Sequence, residues 1–132
     1  MPYVLLVEDN QDNADVAIRL LKSLHLEVRH TSKGLEGARM ARQERPLLIL
    51  MDFNLPDIDG RTMTLQLKKV LGNQTAPPII AFTARTGQAE KKLAERFGCS
   101  AFISKPVVPE DFLSIIKSLI PGLSGDTERL PE

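Results

Sequence analysis

With 132 residues, 42% of them hydrophobic and 26% charged, the chain suits one globular domain with its own core and leaves no room for a second catalytic domain. Seventeen basic residues balance 17 acidic ones, which excludes an overall field drawing the protein to nucleic acid or to an anionic membrane. The single cysteine, Cys99, excludes an intrachain disulfide, and no apolar run approaches a membrane span or a signal sequence, so a cytoplasmic location is expected.

Val4 to Val7 reads as a first strand, followed by Ile18, Leu21 and Leu24 at helical spacing. At Glu27 to Thr31, Val28 and His30 alternate with charged neighbours, as in an exposed edge strand, and a weaker helix covers Leu35 to Arg42. Leu47 to Met51 forms a third strand, after which Met63, Leu67, Val70 and Leu71 mark a helix. Ile79 to Thr83 is a fourth strand, with Ala89, Leu93 and Phe97 as the stripe of the helix behind it. A short fifth strand runs from Ala101 to Ser104. Phe112, Ile115, Ile116 and Leu119 then fall on one side of a last helix behind Pro109, a residue suited to a first turn. Residues 1–120 are thus expected to form the domain. Residues 121–132, with Pro, Gly, Ser and charges in no period, are expected to be a mobile tail. Asn73-Gln74-Thr75 matches the N-glycosylation acceptor pattern, but without a secretion signal it is read as chance.

Five repeats of strand then helix, with continuous apolar runs in three strands, predict a parallel sheet covered on both faces. The expected fold class is α/β: a flavodoxin-like, doubly wound, five-stranded parallel sheet of order 2-1-3-4-5 with five helices. Ligands of such sheets bind beyond the carboxyl ends of the strands. Those ends carry Glu8 and Asp9, Asp52, Thr83 and Lys105, so three carboxylates, a hydroxyl and an ammonium should converge there.

Carboxylates crowded at one edge repel one another unless a cation offsets them. A hard divalent ion, Mg²⁺ or Mn²⁺, suits all-oxygen ligands. Asp9 and Asp52 are the expected direct ligands, Glu8, one methylene longer, is expected to act through a bound water, and a backbone carbonyl near Asn54 completes the shell. A carboxylate is also a nucleophile toward phosphorus, and Asp52 is the candidate phosphoacceptor. Transfer of a phosphoryl group needs mainly positioning, positive charge and hydrogen bonds, for which Lys105 and Thr83 are suited. Ala84 is small enough to leave the phosphorus accessible.

These residues sit in motifs that resemble the receiver domain of two-component response regulators from Tyr3 to about Ile120. Val4-Leu5-Leu6-Val7-Glu8-Asp9-Asn10 is similar to that family's first strand and acidic pair, and Leu50-Met51-Asp52-Phe53-Asn54-Leu55-Pro56 to its phosphoacceptor loop, with Asp59-Gly60 as the following turn. Phe82-Thr83-Ala84 resembles the signalling threonine and its small neighbour. Phe102-Ile103-Ser104-Lys105-Pro106 resembles the aromatic switch position, the lysine and the proline. The resemblance implies a sensor histidine kinase or histidine phosphotransfer protein as phosphoryl donor and a cis bond between Lys105 and Pro106. It also implies a population shift in which Thr83 moves toward the phosphate and Phe102 turns inward, reshaping the face of the fourth and fifth helices and the fifth strand. Asn54 and Arg85 match positions that tune hydrolysis of the phosphate. Phe102 lacks the hydroxyl of the tyrosine common at its place, so a steric switch is expected.

The implied protein is a stand-alone, chemotaxis-regulator-like receiver that signals through an unknown downstream target or a homodimer, without nucleic-acid or membrane contacts. It assists its own phosphorylation and dephosphorylation without being an enzyme. Met1 directly before the first strand favours a short complete gene, although a fragment of a hybrid kinase would look the same. Two other classes compete, a phosphatase with an aspartyl intermediate and an unphosphorylated adaptor. The first lacks an evident substrate cap and second acid/base, and the second has no need of the full acidic, hydroxyl and lysine set. Asp57-Ile58-Asp59-Gly60-Arg61 resembles the paired aspartates of haloacid-dehalogenase-type phosphatases but lies beyond the strand end and lacks their following Thr or Val. An EF-hand reading of Asp52 to Pro56 fails because Pro56 takes the third ligand position. Asp57 and Asp59 are read as cap or turn residues, His25 and His30 as structural or solvated and away from the site, Cys99 as a packed thiol, and Val107 and Val108 as packing beneath the last helix.

Overall fold

The computed structural model describes residues 2–72, 75–84 and 87–120. The tail expected at 121–132, Arg85, and Asn73 and Gln74 of the glycosylation pattern lie outside these residues. Among the described residues, ten elements alternate: β1 (Tyr3–Val7), α1 (Gln11–Ser23), β2 (Glu27–Thr31), α2 (Gly34–Gln43), β3 (Leu48–Asp52), α3 (Gly60–Leu71), β4 (Ile79–Thr83), α4 (Gln88–Arg96), β5 (Ala101–Ser104) and α5 (Pro109–Leu119). The strands pair only in parallel, in the order β2-β1-β3-β4-β5, which is the doubly wound arrangement expected.

Because side chains alternate along a strand, each central strand serves two cores. Tyr3, Leu5, Val7, Ile49, Met51, Ile79 and Ala81 face Ala38 and Ala41 of α2, Met63 and Leu67 of α3, and Ala94 of α4. Val4, Leu6, Leu48, Leu50, Ile80 and Phe82 face Ala14, Ala17 and Leu21 of α1, and Phe112 and Ile116 of α5. Phe82 meets Phe112 edge-on with ring centroids 6.4 Å apart. Burial of Phe112, which is 0% exposed, contributes on the order of 2–3 kcal/mol. All of β1, β3 and β4 is buried, whereas the edge strand β2 is half-buried throughout rather than alternating between core and solvent.

Helix ends follow local chemistry. The Asn10 side chain caps α1 by accepting from the Asn13 amide at 2.9 Å. α1 ends with His25 at φ 62, its amide donating to Lys22 O while the Leu26 amide donates to Leu21 O, a left-handed stop that usually takes glycine. Gly98 (φ 99) ends α4 the same way, with the Gly98 and Cys99 amides donating to Glu95 O and Ala94 O. His25 is thus a helix-terminating residue.

Three apolar assignments differ from expectation. On α4, Ala94 rather than Ala89 reaches the core, and Ala89 is exposed, because a nine-residue helix leaning on the sheet edge buries only a narrow strip. Val70 on α3 is 55% exposed, one position outside the strip defined by Met63 and Leu67. Val107 packs against the α1/α5 core as expected, but Val108 precedes α5 at its N-cap position and is 53% exposed.

Candidate functional site

Strand register brings the polar residues together. Val7 pairs with Met51, so Glu8 follows at the level of Asp52; Asp52 pairs with Phe82, and Thr83 with Ser104, which sets Lys105 one step beyond. By the two-residue alternation, Glu8, Asp52 and Lys105 continue the α1/α5 side of the sheet. Thr83 continues the side to which Phe102 packs.

The three polar groups on the first side touch. Lys105 Nζ lies 2.6 Å from Glu8 Oε1 and 3.4 Å from Asp52 Oδ2, with only 9%, 0% and 3% of these side chains exposed. The ammonium also stands 4.9 Å from the centre of the Phe82 ring, whose face adds cation–π attraction. The Lys105 amide donates to Thr83 O at 2.9 Å, and the Lys105-Pro106 peptide is cis. Glu8 Oε2 accepts from the Asn10 amide at 3.0 Å, and Asp52 Oδ1 from the Asn54 amide at 2.9 Å. Asp9 is exposed at the mouth.

Glu8, Asp9 and Asp52 each offer a carboxylate oxygen within 4.8 Å of the others. When all three carboxylates are ionised they exceed the one ammonium by two negative charges, and with Glu8 and Asp52 buried and Asp9 at the mouth the donor set fits a hard divalent cation. Burial pushes the Asp52 carboxyl up to about 7; the Asn54 amide opposes this, Glu8 reinforces it and Lys105 opposes it. A cation among these oxygens would favour the ionised form.

The loop after β3 folds back on itself. Asn54 forms an antiparallel bridge with Asp59, and the Gly60 amide donates to Phe53 O at 3.2 Å. A Cβ at Gly60 would lie 2.2 Å from Asp52 O and 2.7 Å from Phe53 Cα, so only glycine permits this close return beside the acidic group. Asp59 caps α3 by accepting from the Arg61 amide at 2.8 Å. Asp57 instead caps α2, with its two oxygens accepting from the Gly34 and Leu35 amides, each at 2.9 Å.

Thr83 is 1% exposed at the end of β4, and Ala84 beside it is exposed. Phe102, half-buried on β5, lines an open groove of about 330 Å³ together with Lys91, Pro106, Val108, Asp111 and Ile115. His30 is not remote from the site. Its Nε2 lies 2.8 Å from the backbone oxygen of Glu8, because β2 pairs in register with β1 and carries His30 opposite Leu6. Cys99 is buried, and burial raises its thiol to about 11, as befits a packed residue.

The sequence and fold agree with known proteins. The family model described as the response regulator receiver domain matches residues 4–117. The polar-differentiation response regulator DivK of Brucella anthropi is 37% identical over 117 residues, covering 89% of this chain and 94% of that protein. Among solved structures, the receiver domain of sensor histidine kinase PA1611 from Pseudomonas aeruginosa, with a magnesium ion coordinated in its active site cleft, is 31% identical with a TM-score of 0.79, covering 89% of this chain and 96% of that one. The receiver domain of Ssk1 from Saccharomyces cerevisiae, solved with the histidine phosphotransfer signalling protein Ypd1, is 26% identical with a TM-score of 0.81, covering 89% and 88%. The chain belongs to the response regulator receiver domain family of two-component systems.

Proposed function

We propose that this receiver is a phosphoryl-accepting switch in which Asp52 takes the group from the phosphohistidine of a sensor histidine kinase or histidine phosphotransfer protein. The observation that carries this reading is the meeting of Lys105 with Glu8 and Asp52 inside a cluster of three carboxylates. Asp9 and Asp52, with Glu8 and the Asn54 carbonyl, would hold Mg²⁺ or Mn²⁺, which when bound neutralises phosphoryl oxygens and favours ionised Asp52. An Asp52 oxygen attacks phosphorus, the P–N bond breaks, and its electron pair leaves with the imidazole, which takes up a proton. In this reading Lys105 and the Thr83 hydroxyl meet the charge on the transferred group, and Ala84, which is exposed, leaves the approach open. Attack of water on phosphorus later returns the Asp52 carboxylate and releases phosphate. The protein assists both steps without turning over a free substrate.

Thr83 and Phe102 share one side of the sheet, since Ala81, two residues before Thr83, pairs with Phe102. A shift of Thr83 toward the phosphate would therefore vacate space on the side where Phe102 packs, and the α4, β5 and α5 face would carry the signal to a protein target or a second copy. Residues 1–120 form the working unit in this reading, 121–132 a tail, and the cytoplasm its location. Among the described residues, no helix is long and apolar enough to cross a membrane.

With beryllofluoride and Mg²⁺, amide resonances of α4, β5 and α5 should shift in the wild type. Thr83→Ala should bind the metal yet lose most of those shifts, and full shifts in that variant would overturn the switch. Substitutions at Asn54 and Arg85 should alter phosphate lifetime more than phosphorylation rate. Unchanged decay of radiolabelled phosphoprotein in both would remove them from that role.

A further inference from the structure

Helix α2 begins without a local cap. Lys33, at its N-cap position, has a side chain that cannot accept a hydrogen bond and makes none to the helix. The acceptors come instead from the tip of the loop after β3, where the two oxygens of Asp57 take the Gly34 and Leu35 amides at 2.9 Å each. Burial alone would raise the Asp57 carboxyl, but the Leu35 and Gly34 amides, together with those of Asp57 and Ile58, outweigh it and hold the group below its ordinary value. The apolar neighbours of Asp57 reinforce the joint. A Cβ on Gly34 would lie 2.6 Å from Ile58 Cγ2 and 3.0 Å from Leu55 Cδ1, so the bare glycine lets the loop tip seat against the helix start.

The same loop is fixed at its base by the Asn54–Asp59 bridge, the Gly60 amide on Phe53 O and the Asn54 amide on Asp52 Oδ1. The stretch carrying Asn54 is therefore clamped at both ends, by β3 below and by α2 above. We infer that Asp57 is a positioning residue of the phosphoacceptor site: by stapling the loop tip to the N-terminus of α2 it fixes the backbone of Asn54 relative to Asp52 and so pre-forms the cation site.

This inference rests on the proposed Mg²⁺ site and deepens it. Groups that orient metal ligands typically alter affinity roughly 10- to 100-fold. Asp57 acts one step further out, through backbone, so its truncation should weaken Mg²⁺ binding about 3- to 10-fold.

The test is calorimetric titration of the whole chain with Mg²⁺ for wild type, Asp57→Ala, Asp57→Asn, Asp52→Asn and Tyr3→Phe. Asn retains one acceptor oxygen and should fall between wild type and Ala. Tyr3→Phe removes the hydroxyl that donates to Glu44 O at 2.6 Å at the opposite end of α2, so it loosens the same helix without touching the loop. Urea midpoints are measured in parallel. The expected result is graded loss of Mg²⁺ affinity in the order Asp, Asn, Ala, with Tyr3→Phe lowering the urea midpoint but leaving affinity within about twofold of wild type. Equal affinity in wild type and Asp57→Ala, or an equal loss in Tyr3→Phe, would overturn the inference. If the wild type itself takes up no Mg²⁺, or Asp52→Asn binds as well as wild type, the cation site fails, and the positioning role of Asp57 fails with it.

Discussion

Asp52→Asn should stabilise the metal-free protein, and by an amount that depends on pH. The Asp52 carboxyl titrates ordinarily at 3.8 but is pushed by burial to about 7 in the fold, beside Glu8. The folded state therefore holds its proton more tightly than the unfolded chain. Ionisation costs the fold stability progressively as pH rises from about 4 to about 7, and the full cost persists above that. A gap from 3.8 to about 7 corresponds to roughly 4 kcal/mol at most. Asp9 at the mouth is exposed, water screens the rim, and asparagine must itself be buried, so about half, on the order of 2 kcal/mol, is expected. The amide oxygen can still accept from the Asn54 amide, and Lys105 keeps Glu8 at 2.6 Å. Urea unfolding without metal should show the variant more stable than wild type near pH 8, with the difference vanishing near pH 4. Saturating Mg²⁺ should restore the wild type and do little for the variant. Equal stability of the two proteins near pH 8 without metal would refute the electrostatic reasoning.

Lys105→Met removes the ammonium from two buried carboxylates and should destabilise the metal-free protein by about 3 kcal/mol, with Mg²⁺ recovering part of it; urea midpoints with and without metal check this. His25→Gly should raise stability by roughly 0.5–1 kcal/mol, read by thermal unfolding, because glycine relieves the φ of 62 without disturbing the amide bonds that end α1. Native Cys99 should react far more slowly with iodoacetamide at neutral pH than the urea-unfolded chain, since its thiol is buried and titrates at about 11; equal rates would contradict the packing described.

Much of the fold is legible in the sequence because the strands announce themselves. Val4 to Val7 and Ile79 to Phe82 are unbroken apolar runs, and only burial on both faces accommodates them. The meeting of Glu8, Asp52 and Lys105 follows from their places at strand ends, since a parallel sheet carries all such ends to one edge. Where one-dimensional pattern misleads, local geometry decides. Ala89, Leu93 and Phe97 have helical spacing, but α4 is short and turns Ala94 to the core instead. His30 reads as remote because its nearness to Glu8 is created by strand pairing across 22 residues. Asp57 is recognisable as a cap, but the helix it caps begins 23 residues earlier in the chain. The sequence signal is the misfit of Lys33, a residue unable to cap the helix it precedes.

The most direct test of the central claim is intact-protein mass spectrometry after incubation with acetyl phosphate, with and without Mg²⁺, for wild type and Asp52→Asn. The account predicts a mass gain of one phosphoryl group in the wild type with Mg²⁺ and none in the variant or after chelation. Phosphorylation of Asp52→Asn, or of the wild type in the absence of a divalent cation, would contradict it.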